Sequence, residues 1–237
     1  MSSPDRSGPA TSAASAVSGV GPDLAGPVVS VLGGTGPQGR GLARRLAMSG
    51  LRIVLGSRDA TRAAAAAGEL PGEVSGADNA AAARAGDIVV VAVPWEGHRA
   101  LLLPLADAVS GKVVVDCVNP LGFDAHGAFA LPVAEGSAAQ QAQAVLPESF
   151  VTAAFHHVSA VVLLDEAVDE VDTDVLVLGD DRTATDLVQA LADRIPGMRG
   201  VYGGRLRNAR QVEALTANLL SVNRRYRVHA GLRVTDL

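Results

Sequence analysis

Six residues early in the chain, Gly34-Thr35-Gly36-Pro37-Gln38-Gly39, have the types and spacing to hold a diphosphate. They form a G-x-G-x-x-G. The first glycine permits a tight turn, the second lets the backbone approach a pyrophosphate, and the third lets a helix pack closely on a strand. Such spacing alone is weak evidence, and its context strengthens it. The run Val28-Val29-Ser30-Val31-Leu32 before it reads as a β-strand. The segment Arg40 to Gly50 after it carries Leu42, Leu46 and Ala47 at helical spacing. A pyrophosphate is expected on the free N–H groups at the positive end of that helix.

A second group selects the nucleotide. A chain that binds NAD usually ends its second strand in Asp or Glu, which accepts hydrogen bonds from the ribose diol. Here Arg52-Ile53-Val54-Leu55 is followed by Gly56-Ser57-Arg58. The Ser57 hydroxyl and the Arg58 guanidinium suit a 2′-phosphate, which a carboxylate would repel. Arg62, one helical turn on, adds charge, and Asp59 is expected to cap the next helix. The nucleotide expected is therefore NADP(H).

Two further segments are expected to reach the same edge. Ligands of open α/β sheets lie at the carboxyl ends of the strands, so Val93, Pro94 and Trp95 should border the nicotinamide half. Asn119 and Pro120 end the next strand, where Asn119 either bonds the cofactor or holds a turn. Cys117 beside them reads as a small core residue. No dedicated acid or base is evident. Lys112 is the only lysine and precedes a strand, and neither Tyr202 nor Tyr226 has a lysine four residues later. His156 and His157 are the remaining polar candidates. Neighbours on a strand point to opposite faces, so at most one of the two is expected to face a ligand.

The elements that position these residues read as strands at Ile88 to Val93, Val113 to Val118, Phe150 to His156 and Val175 to Asp180. Helices are expected from about Ala60 to Leu70, Thr183 to Arg194 and Asn208 to Asn223. Strands apolar throughout, alternating with helices, predict a doubly wound α/β fold of the Rossmann type with a parallel sheet covered on both faces. The division expected is a disordered tail over 1–26, an NADP-binding domain over 27–150 and a smaller C-terminal domain over 151–237. The tail is rich in Ser, Ala, Gly and Pro and has little apolar surface to offset its ordering entropy.

Composition narrows the function classes. Apolar residues are 48% of the chain, enough for a sizeable core. A net charge of −5 gives no general reason to expect nucleic-acid binding. A single cysteine excludes an intramolecular disulfide and a Cys-rich metal site, and no paired-His metal signature is present. No apolar run reaches the roughly 20 residues that span a bilayer, and no secretory h-region is evident, so a cytoplasmic protein is expected. The acidic residues between Asp165 and Asp174 lack the spacing of a calcium loop and read as a solvated face.

Taken in order, several segments resemble one family, the F420-dependent NADP reductases. They are Gly33 to Gly39, Gly56-Ser57-Arg58, Val93-Pro94-Trp95, Asn119-Pro120-Leu121-Gly122, Ala153-Ala154-Phe155-His156-His157, Gly179-Asp180 and Leu206-Arg207-Asn208-Ala209-Arg210. The pair His156-His157 resembles the bacterial branch. The resemblance implies hydride exchange between NADP(H) and coenzyme F420, an 8-hydroxy-5-deazaflavin. It also implies a deazaflavin cleft between a Rossmann domain and a smaller domain, and a homodimer. His156 is then the expected hydrogen-bond partner of the deazaflavin ring. Arginines crowd the C-terminal end, and some of Arg205, Arg207 and Arg210 are expected to meet the anionic tail of F420; a solvated or dimer-facing surface is the alternative. Two other readings stay open from the residues alone. One is an NADPH-dependent reductase of another acceptor, such as a flavin, a metal or a small carbonyl. The other is an NADP-binding sensor without turnover.

Overall fold

The computed structural model describes residues 26–237. The expected tail falls almost wholly outside the described residues. Strand β1 (Val28–Leu32) leads through the glycine turn into α1 (Pro37–Met48), then β2 (Arg52–Ser57), α2 (Ala60–Gly68), β3 (Val74–Asp78), α3 (Asn79–Ala85) and β4 (Ile88–Val91). Next come α4 (His98–Leu102), α5 (Ala106–Val109), β5 (Val113–Asp116), the hairpin β6 (Leu121–Asp124) and β7 (Gly127–Ala130), and α6 (Ala138–Val145). The chain ends with β8 (Phe150–Ala153), α7 (Ala160–Leu164), β9 (Thr173–Gly179), α8 (Arg182–Asp193), β10 (Met198–Gly204) and α9 (Ala209–Tyr226).

Eight strands form one sheet in the order β10-β9-β8-β5-β4-β1-β2-β3. The order reverses between β1 and β4, so the crevice at a doubly wound sheet's switch point opens above their carboxyl ends. Alternate residues of the central strands feed two cores. Val29, Val31, Ile53 and Val90 pack on one face with Leu42, Leu46 and Leu191. Leu32, Val89, Val91 and Val114 pack on the other with Leu102, Ala142 and Val212. Cys117 is buried in the first core, as expected, and burial pushes its thiol well above the ordinary range, so it is held as an unreactive thiol.

Hydrogen bonding runs unbroken past residue 150, because β8 pairs in parallel with β5. The sheet is parallel except at one place. β8 and β9 are antiparallel, with Thr152 opposite Gly179 and Ala153 opposite Leu178. Between them the chain leaves β8 upward through the His156-His157 turn and the short α7 and enters β9 from above the carboxyl edge. Strand β9 therefore starts above the carboxyl edge and runs down, and β10 runs parallel to it. Helix α9 then climbs back toward the carboxyl edge. This reversal sets where the C-terminal residues lie relative to the carboxyl edge.

Candidate functional site

The first site is a mouth of about 530 Å³ lined by Gly33, Thr35, Gly36, Ser57, Arg58, Arg62, Val93 and Pro94, among others. Its geometry refines the glycine roles. The tight turn is made at Gly33, with φ +75, where a Cβ would lie 2.5 Å from the Ala92 carbonyl oxygen. Gly34 is needed for space, since a Cβ there would lie 2.8 Å from both the Val31 oxygen and Leu55. At Gly36 a Cβ would meet only the Gly33 oxygen, at 3.4 Å, so this glycine leaves open room beside the helix start. Gly39 packs helix on strand, with a Cβ position 2.8 Å from the Gly33 oxygen. Helix α1 begins with Pro37, has no capping side chain and no acidic residue in its first turn. Its amide dipole end is thus left to an anion.

Ser57 is buried at the end of β2, while Arg58 and Arg62 are exposed at the mouth and form no ion pair among the described residues. Asp59 caps α2 as expected, accepting from the backbone N–H groups of Thr61 at 2.8 Å and Arg62 at 3.2 Å. Its carboxylate is turned to the helix and away from the arginines' task. Asn79, missed in the sequence, also lines this mouth, with a buried Oδ1 that has no partner among the described residues.

The second site is a cleft of about 590 Å³ lined by Gln38, Asn119, His156, His157, Val158, Thr216 and the end of α9. The chain reaches it through a strained residue. β8 ends at Ala153, and Phe155, fully buried, takes φ +61, a left-handed conformation that costs a residue with a Cβ about 1–2 kcal/mol. His156 and His157 therefore sit in a turn, and the expected strand alternation does not apply to them. Both line the cleft and both are buried. Their roles still differ. His157 Nε2 bonds the Asp174 backbone oxygen at 2.7 Å, a structural contact. Among the described residues neither ring nitrogen of His156 makes a hydrogen bond of good geometry, although the Cys117 backbone faces the ring. Burial lowers its pKa to about 4, so the ring is neutral at pH 7 and offers one donor and one acceptor.

Three segments converge on the turn. Asn119 Nδ2 donates to the His156 backbone oxygen at 2.8 Å, and Thr216 Oγ1 donates to the same oxygen at 3.1 Å. Gln38 Nε2, from the glycine motif, donates to the Phe155 oxygen at 3.4 Å. Asn119 thus holds the turn through its amide nitrogen and leaves Oδ1 without a partner. Arg45 fixes the wall behind. Its buried guanidinium donates to the carbonyls of Leu163, Val168, Val162 and Asp165 at 2.6–2.9 Å, closing the end of α7 onto α1. Burial lowers its pKa, yet an arginine stays charged.

The remaining expectations sort by position. Val93 and Pro94 line the first mouth, and Trp95 is half-buried just behind, stacked on His98. Pro120 is buried next to Asn119. Arg205, Arg207 and Arg210 are exposed but line neither site. They follow β10, whose last residue, Gly204, pairs with Leu178 and so lies level with Ala153 at the end of β8. The helix rises about 25 Å between Arg207 and Arg224. The arginines that line the second cleft are Arg224 and Arg227.

A switch-point crevice with a glycine turn, an open helix start and a Ser-Arg pair after β2 defines a nicotinamide-dinucleotide oxidoreductase of the Rossmann type. Comparison with known proteins agrees. The profile described as NADP oxidoreductase coenzyme F420-dependent matches residues 28–120. The F420-dependent NADP reductase of Methanothermobacter marburgensis is 38% identical over 88% of this chain and 98% of its own. That of Methanocaldococcus jannaschii is 36% identical over 88% of this chain and 98% of its own. A crystal structure from Arthrobacter sp. FB24, described as an F420-dependent NADP-reductase, superposes with a TM-score of 0.77 at 27% identity, covering 89% of this chain and all of that one. The chain belongs to the F420-dependent NADP reductase family.

Proposed function

We propose that this enzyme moves hydride reversibly between NADP(H), held in the first mouth, and coenzyme F420, held in the second cleft. The observation that carries this reading is His156. It is a buried, neutral ring whose two nitrogens are unsatisfied among the described residues, and it lines a cleft that takes Gln38 from the glycine motif itself. A buried polar group without a partner costs stability, which a ligand with complementary donors and acceptors would recover.

The residues fit both carriers. Ser57, Arg58 and Arg62 hold the 2′-phosphate, and the N–H groups at the start of α1 hold the pyrophosphate. Val93, Pro94, Asn119 and Pro120 border the nicotinamide. His156 and Asn119 Oδ1 bond the polar edge of the deazaflavin ring, and Arg224 and Arg227 face its anionic tail. The segment 151–237 supplies most of that cleft. When both are bound, nicotinamide C4 and deazaflavin C5 supply the hydride chemistry themselves. The protein's part is to align the rings and exclude water, which makes proximity the main source of rate. A neutral His156 fits this role, because no proton needs to be stored on it.

The apolar side chains Phe123, Phe129, Leu220 and Tyr226 are exposed around the β6–β7 hairpin and α9. We assign this patch to a second copy of the chain, giving a homodimer. The activity is tested by mixing purified protein with NADPH and F420 and following the visible absorbance of the deazaflavin. Bleaching is expected. No bleaching, or bleaching of ordinary flavins alone, would overturn the assignment in favour of another acceptor, and NADPH binding without any turnover would mark a sensor.

A further inference from the structure

Beneath the two sites runs a buried polar chain that the activity does not by itself require. His98 and Asp116 are both fully buried, with His98 Nε2 2.6 Å from Asp116 Oδ2. On the other side of the ring, His98 Nδ1 lies 3.1 Å from Gln141 Oε1. The Gln141 amide is oriented by Glu135, whose carboxylate accepts from Nε2 at 3.2 Å. Gln141 therefore presents its oxygen to the ring, and Nδ1 must carry a proton. The second nitrogen meets a carboxylate, so the ring donates on both sides. Asp116 uses its other oxygen to accept from the Val118 N–H at 3.0 Å, one residue before Asn119. The indole of Trp95 stacks on the imidazole with centroids 5.7 Å apart.

We propose that His98 is a positioning residue for hydride transfer: it ties the turn Val93–Gly97 to the end of β5, so that Trp95 and Asn119 are held in fixed register around the nicotinamide. The inference rests on the placement of the nicotinamide given above. Its physical content is that a doubly donating ring, clamped between a helix and a strand and lidded by an indole, allows neither loop to slide. A small misalignment in such a site costs up to about 100-fold in rate.

The groups that face His98 are Asp116 from β5, Gln141 from α6 and Glu213 from α9, with Glu135 and its partner Arg99 at the rim. Burial works against the charged ring. The charge and hydrogen bond of Asp116, the bond to Gln141 and the charge of Glu213 outweigh it, and the pKa is raised. Glu213, whose carboxyl burial pushes up to about 7, accepts from the N–H groups of Ala138 and Ala139 at the start of α6.

The test uses two amides that mimic one ring nitrogen each. His98→Gln can still donate to Asp116; His98→Asn can reach only Gln141. We expect His98→Asn to lower kcat about 10- to 100-fold with little change in the KM for NADPH, since the phosphate grip lies elsewhere, and His98→Gln to recover most of the loss. Equal losses in both variants would overturn the proposal. A readout without turnover is the nitrogen NMR of the His98 ring in the full-length wild type. Both nitrogens should be protonated at neutral pH. The ring signals should shift on adding NADPH and stay still with 2′,5′-ADP, which lacks the nicotinamide half. A ring with one bare nitrogen, or the same response to both nucleotides, would overturn it even if the Asn variant does not fold. Absence of wild-type turnover with F420, with the NADPH-specific shift intact, would instead count against the deazaflavin assignment alone.

Discussion

The two sites are built by different rules. Every part of the first mouth is encoded within a few residues of where it acts: a glycine turn, a helix start, and a Ser-Arg pair at a strand end. The arginines proposed to hold its phosphate are exposed and its key glycines work through backbone space. The second cleft has almost no local code. His156 is presented by a left-handed Phe155 and held by Asn119 and Thr216, and the wall beside it by Arg45, whose bonds reach across 117 to 123 residues of sequence. The lesson is that a pocket for a common, charged nucleotide can be written in a motif, whereas a pocket for a flat ring is assembled from long-range contacts.

That contrast is easiest to break at Arg45. Replacement by Met would leave four carbonyls without their donor, and a loss of about 3–5 kcal/mol is expected. Urea denaturation measures it. Affinity for F420 should fall with it, because Ala160 and Val161 of α7 line that cleft. An equal fall in NADPH affinity at a temperature where the variant is folded would blur the distinction between the two sites.

Acid should expose the second cleft next. His156 has a folded pKa lowered to about 4, below the ordinary value of about 6.5. Between those values the unfolded chain binds a proton that the folded chain refuses. Stability is therefore full above about pH 6.5 and falls as the pH drops toward 4, by about 3 kcal/mol for this group. Glu213, raised to about 7, has the opposite sign, gaining stability on acidification. The difference between the wild type and His156→Asn across this range isolates the histidine. Parallel stability curves would show that His156 is solvated and not poised in a dry cleft.

The first mouth is sharpened by Arg58→Ala. Loss of a charge-assisted contact of about 2 kcal/mol should weaken NADPH binding about 30-fold and leave NADH nearly unchanged. Equal losses for both nucleotides, measured by titration of nicotinamide fluorescence, would refute the 2′-phosphate assignment. The smallest effect is expected from salt at Arg224 and Arg227. Affinity for F420 should fall several-fold as salt approaches about 1 M, where screening shortens to about 3 Å, and Arg224→Ala should flatten that dependence.

How far the sequence could be read follows the same division. Strands β1, β2, β4 and β5 are runs of branched apolar residues and were legible, as were the amphipathic α8 and the capping role of Asp59. Strand β3, Val-Ser-Gly-Ala-Asp, was not, because an edge strand needs little apolar content and Gly76 there only makes room for α2. The β6–β7 hairpin and α6 also passed unseen, since neither carries a strong period. The antiparallel turn-back at β9 was the costliest omission. With β9 and β10 running down, α9 climbs past the His156 turn and brings Arg224 and Arg227 to the cleft, an outcome that no local spacing encodes. His98 and Asp116 looked ordinary in sequence because their meaning lies in a contact between the start of α4 and the end of β5.

Direct transfer between two rings held against each other is what the account stands on, and isotope tracing tests it most simply. NADPH carrying deuterium at the transferable C4 position is oxidised with F420 in ordinary water, and the reduced deazaflavin is examined by mass spectrometry and proton NMR. One deuterium at C5 is expected, with none lost to solvent. Solvent hydrogen at C5 would contradict it, for the two carriers would then not meet in one closed site.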